Sequence, residues 1–139
     1  MMSTNEVITG VSDHGGWAIL VTVADDGKLL DRRRVELVAD NLPKLPHHSE
    51  GPSLPIQEAV ALVERVRASA EQHAKLSLDL LTGTIPARIR GVALRQCPPL
   101  PATVASRITD YRAHNVADWV MYRQALAEAA QARLGRLRV

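Results

Sequence analysis

Apolar residues recur along the chain in two periods, and the places where the period changes mark the elements. Val7 to Val11 and Trp17 to Val23 are short, densely apolar runs on either side of Ser12-Asp13-His14-Gly15-Gly16, a pattern that predicts two strands joined by a tight turn. Asp25-Asp26-Gly27 is a second turn signal, because Asp and Gly tolerate the positive φ of a hairpin turn. A third strand is expected from Lys28 to Val38, with Leu29, Val35 and Leu37 on one face and Asp31 and Arg33 interrupting it. Charge placed inward in this way marks an edge strand, which it keeps from mispairing.

Pro43, Pro46, Pro52, Pro55 and Gly51 predict a loop over residues 41–55, and that loop holds His47-His48. A helical period then takes over. Ile56, Ala59, Val60, Val63, Val66 and Ala70 form one stripe of a helix that starts after Pro55 and weakens near Leu76, while Leu78 to Thr84 suits either a last turn or a loop. Ala87 to Gln96 predicts a strand whose centre, Val92 to Leu94, is apolar on both faces, as in a central strand. The Cys97-Pro98-Pro99-Leu100-Pro101 run forbids regular structure. Ala102 to Tyr111 and Asn115 to Arg133 then read as one helix bent near His114, with Asn115 as N-cap and Asp118 three residues on completing an approximate capping box. Gly135 to Val139 is expected as a short or truncated last strand.

Composition narrows the class without naming an activity. A length of 139 residues, 46% of them apolar, fits one α/β domain over residues 1–139 with a single core. The single cysteine, Cys97, excludes an internal disulfide framework and has no evident base partner, so an inert thiol is expected. No apolar run reaches the roughly 18 residues of a membrane span and the first residues lack a basic leader, so a cytoplasmic protein without membrane contact is expected. With no phenylalanine, two tryptophans and two tyrosines, an aromatic sheet surface that stacks successive bases is not expected.

A net charge of +2 decides little, but its distribution is uneven: the basic excess lies in residues 51–139 and is almost all arginine. Arg88 and Arg90 alternate onto one face of the fourth predicted strand, and Arg95, Arg107, Arg112 and Arg123 follow. If they converge they bind phosphates bidentately, which makes nucleic acid the candidate partner.

Three antiparallel strands, a helix, a strand parallel to the first and a long helix give the order β-β-β-α-β-α. With Val7-Ile8-Thr9-Gly10-Val11-Ser12-Asp13-His14-Gly15-Gly16-Trp17-Ala18-Ile19-Leu20, this order resembles the ribonuclease H-like superfamily, in its branch of Holliday-junction resolvases. The resemblance covers the first hairpin and the element order. It implies a ribonuclease H-like mixed sheet and a first-strand carboxylate, matched by Asp13, that binds Mg²⁺ or Mn²⁺ with later acids for phosphodiester hydrolysis. Asp110 and Asp118, on the C-terminal helical segment, are the candidates to complete that catalytic set. Leu94-Arg95-Gln96 stands where the resemblance implies an acid, so it implies either a metal-dependent nuclease or a non-catalytic relative that binds nucleic acid.

Local readings compete with these roles. Asp13 suits a turn that bonds its own backbone, Asp118 a helix N-terminus, and the Gly15-Gly16 pair a close backbone approach to a phosphate. Trp119 and Tyr122, with Val116, Ala125, Leu126 and Ala129, form a stripe expected in a core or an interface. The alanine-rich run 125–130 permits close helix packing, which predicts a homo-oligomer and supports the alternative of a non-enzymatic module that dimerises through its C-terminal helix.

Overall fold

A computed structural model describes residues 6–134. Strands β1 (Glu6–Asp13), β2 (Trp17–Ala24) and β3 (Leu29–Glu36) are followed by helix α1 (Ile56–Thr84), strand β4 (Arg88–Ala93) and helices α2 (Val104–Thr109) and α3 (Ala117–Leu134). The fold is α/β. Its four-stranded mixed sheet has the order β3-β2-β1-β4, with β1 antiparallel to β2, β2 antiparallel to β3, and β1 parallel to β4.

Both hairpins form where the turn residues require them. Gly16 adopts φ +91° and Gly27 φ +85°, a region that a side chain makes costly. The β1–β2 register pairs Thr9 with Thr22, and their hydroxyl oxygens lie 2.8 Å apart on the core side, both fully buried. Val7, Ala18, Leu20 and Ile89 turn to that same side, where α1 and α3 supply Val63, Val66, Leu78, Tyr122 and Leu126. The opposite sheet face carries Ile8, Ile19 and Val21, half-buried, with Arg32 and Arg34 opposite Val21 and Ile19 on β3.

The edge position of β3 agrees with the sequence, and the inward charges are paired. Arg33 Nε donates to Asp31 at 2.7 Å, which holds the Asp31 carboxyl below its usual range and raises the Arg33 guanidinium. The other strand expectation is corrected: β4 is an edge strand among the described residues, not a central one. A register shift against β1 between Val7 and Ile8 interrupts the alternation, so that Gly91 and Val92 are both buried while Ala93 is exposed. The apolar run Val92 to Leu94 reflects that irregularity rather than two covered faces.

The helices differ from expectation at their ends. Leu78 to Thr84 belongs to α1, because Leu78 and Leu81 continue its buried stripe. The second helical segment is not one bent helix but α2, a 3₁₀ turn at Ala113–Asn115 and α3. Asp110 makes the break: its Oδ1 accepts the backbone N–H groups of Arg112 and Ala113 at 2.9 Å each. Asn115 is not an N-cap, since its side-chain amide donates to the Tyr111 carbonyl at 2.9 Å. The expected strand over 135–139 lies outside the described residues. Among those that are described, no helix is long and apolar enough to cross a membrane.

Candidate functional site

The first turns of α3 organise the end of the sheet where β1 and β4, running parallel, both finish. Residues four apart share a helix face, so α3 offers two useful pairs there. Trp119 and Arg123 turn towards the strand ends, and Asp118 and Tyr122 turn towards the segment 44–48.

Arg123 reaches Asp13, the last residue of β1. Its Nη2 donates to Asp13 Oδ2 at 3.0 Å, its Nε lies 3.2 Å from both carboxylate oxygens, and its Nη1 donates to the Gln96 carbonyl at 3.0 Å. The side chains are only 1% exposed for Asp13 and 9% for Arg123. One guanidinium therefore ties β1, the chain leaving β4, and α3 together, and this fork geometry matches a carboxylate closely. The resemblance implied a metal at Asp13, but the donor set here does not fit a hard divalent cation: both Asp13 oxygens face a guanidinium. Among the described residues no group of three or more His, Cys, Asp or Glu gathers around any point.

The other two candidate carboxylates sit elsewhere. Asp110 closes its own surface turn, as described above. Asp118 is fully buried in the first turn of α3, at the helix start where it was expected, but its hydrogen bonds are long-range. Its Oδ1 accepts the His47 backbone N–H at 3.0 Å and His47 Nδ1–H at 2.9 Å, and its Oδ2 accepts the His48 backbone N–H at 3.1 Å. Those two N–H groups open the helical turn Pro46–Glu50, so the carboxylate caps an element 70 residues away in sequence. Tyr122 supports the same segment by donating its hydroxyl to the Lys44 carbonyl at 2.6 Å. Burial, with the Asp118 charge beside it, pushes the Tyr122 phenol up, which keeps it a donor.

His47 is thus a buried residue of a structured turn, 2% exposed, rather than part of a loop. Sequence reasoning missed it because Pro46 and the adjacent histidines look like loop composition. The available signal was Asp118 itself, an acid at a position where the stripe of α3 turns inward. Gly51 completes the turn: a Cβ there meets the Pro46 carbonyl at 2.6 Å.

Beside the Asp13–Arg123 pair lies an open cleft of about 450 Å³, lined by Arg95, Gln96, Asn115, Val116, Trp119 and Arg123 among others. It stands at the carboxyl ends of the parallel strands, the place where α/β sheets bind ligands. The Gly15 backbone closes against it, since a Cβ there falls 3.8 Å from Trp119 Cζ2 and 2.6 Å from Leu45 Cδ2. His14 turns away to stack on Trp17, with ring centroids 3.9 Å apart and planes at 7°, while Arg34 lies 4.0 Å over the same indole.

Of the six candidate phosphate-binding arginines, Arg95 and Arg123 line this cleft, and Arg123 is already paired with Asp13. Arg88 and Arg90 lie on the far part of β4, 3.7 Å from Glu6 and Asp25 respectively. Arg107 donates to the Pro101 carbonyl at 2.7 Å and Arg112 belongs to the Asp110 turn. Of the alanines expected at an oligomer interface, Ala125 and Ala130 are buried in the core that α1 shares, and Ala127 and Ala129 are partly buried at its edge. No family model, no curated protein and no solved structure matches this chain.

Proposed function

We propose that this is a ribonuclease H-like domain that binds nucleic acid through the cleft at the ends of β1 and β4 and does not hydrolyse it. Three antiparallel strands followed, across one helix, by a strand parallel to the first support the ribonuclease H-like reading of the architecture. The observation that carries the functional reading is the Asp13–Arg123 pair. It engages the first-strand carboxylate with a guanidinium, which supports a role without metal chemistry, and leaves a neutralised base beside the cleft, where Arg95 is exposed. One exposed guanidinium beside a neutral, hydrogen-bonding floor attracts phosphate by charge and holds it by direct donors.

The test is equilibrium binding of a short fluorescent oligonucleotide at rising salt. Affinity should fall with a shallow log–log slope, about one to two, because few phosphates are neutralised by one cleft. Arg95→Ala should lower affinity about fivefold or more and flatten that slope, and Mg²⁺ or Mn²⁺ should cause no cleavage. Absence of binding at low salt, or metal-dependent cleavage abolished by Asp13→Asn, overturns the reading.

A further inference from the structure

We infer that the cleft takes one unpaired nucleotide of a single strand, the base against the Trp119 indole and its phosphate on Arg95, an inference that rests on the nucleic-acid reading above. The two tryptophans are not equivalent. Trp17 already carries the His14 imidazole and the Arg34 guanidinium against its ring. Trp119 lines the cleft, half-buried, and is held from behind by the Gly15 turn. A fixed, partly wet indole beside a cation is the arrangement on which an unstacked base is held, because every base has a π face.

The charge count agrees with a single nucleotide. Arg123 is neutralised by Asp13, and Arg95 makes no ion pair among the described residues, which leaves one cation for one phosphate. Gln96 and Asn115 add side-chain amides that donate and accept along a base edge; one Asn115 N–H is taken by the Tyr111 carbonyl, and its carbonyl oxygen makes no bond among the described residues. A volume of about 450 Å³ lies in the range of small-ligand sites, roughly 300–1,000 Å³. A duplex cannot present a base here, since its bases are paired and stacked. Nor does the cleft carry the row of arginines that tracks a duplex, because Arg88, Arg90, Arg107 and Arg112 lie outside it.

The experiment compares an eight-residue oligothymidylate with a hairpin duplex of equal phosphate number at low salt, with affinity read by the anisotropy of a fluorescein label on each probe and contact with Trp119 read by its emission in the full chain carrying Trp17→Phe. The single strand should quench Trp119 and bind at least about tenfold more tightly than the duplex. Trp119→Phe should keep most of that preference, and Trp119→Leu should lose it while keeping the salt dependence. If Trp119→Leu does not fold, the quenching in the Trp17→Phe chain decides alone. Equal binding of both probes without quenching overturns the unpaired-nucleotide inference and leaves the nucleic-acid reading standing. Failure of both probes to bind overturns both.

Discussion

Asp13 and Arg123, 110 residues apart, form a side-chain ion pair with an N–O distance of 3.0 Å, in which neither partner meets appreciable solvent. The position that looks like a metal ligand in the sequence is therefore a joint between the first strand and the last described helix. Taking two charges out of water is costly, and the fork geometry and the bond to the Gln96 carbonyl offset that cost.

Breaking the pair from one side should be far worse than replacing it. Arg123→Met strands a buried carboxylate and should destabilise by about 3–5 kcal/mol, whereas Asp13→Asn with Arg123→Met should recover at least half of that loss. Urea unfolding of the two single variants and the double measures this as a coupling energy. Strictly additive effects would contradict it.

The Thr9–Thr22 pair follows the same asymmetry at smaller scale. Thr9→Val leaves the Thr22 hydroxyl buried without its partner and should cost about 1–2 kcal/mol, while valine at both positions should restore stability to within about 0.5 kcal/mol of the parent. Thermal or urea midpoints of the three variants decide this. A double variant as unstable as the sum of the singles would sink it.

Asp118 should govern the segment 44–50 more than the helix it sits on. Asp118→Ala removes the acceptor of three donors and should cost about 2–4 kcal/mol, with hydrogen exchange at His47, His48 and Ser49 rising much more than at Ala125 or Leu126. Tyr122→Phe, which removes only the bond to the Lys44 carbonyl, should give a weaker version of the same pattern.

Glu128 provides a pH-dependent prediction. Partial desolvation in the groove between α1 and α3, with the charge of Glu71 beside it, holds its carboxyl above the usual value of 4.5. For an acid raised in the folded state, the favourable contribution is complete below the unfolded pKa and is lost as pH rises through the folded one. Glu128→Gln should therefore raise Tm at neutral pH, by on the order of 1–2 °C for so exposed a pair, and give no gain near pH 4. Equal gains at both pH values would contradict the assignment.

Much of the architecture was legible from residue order. Asp25-Asp26-Gly27, the inward Asp31 and Arg33, and the stripe from Ala59 to Ala70 each have a local cause, and each stands where that cause puts it. What escaped the sequence depends on partners far along the chain. The bulge that turns Gly91 and Val92 inward together is set by pairing with β1, so the local alternation pointed to a central strand. Asp118 looked like a capping acid because three-residue spacing to Asn115 is visible locally, and its true donors lie at residues 47 and 48. Asp13 was singled out as a metal ligand or a turn residue, and nothing near it in sequence announces Arg123. Trp119 was expected in a core or an interface, and only the chain leaving β4 makes it a cleft wall.

The central claim is that ligand phosphate and base meet at the ends of β1 and β4. Amide and indole chemical shifts, followed by NMR while an oligothymidylate is added at low salt, test it most directly. The account predicts saturable shifts at Arg95, Gln96, Asn115 and the Trp119 indole N–H, with Arg107 and Arg112 unmoved. Shifts centred on Arg107 and Arg112, or on Arg88 and Arg90, with the Trp119 indole unchanged, would contradict it.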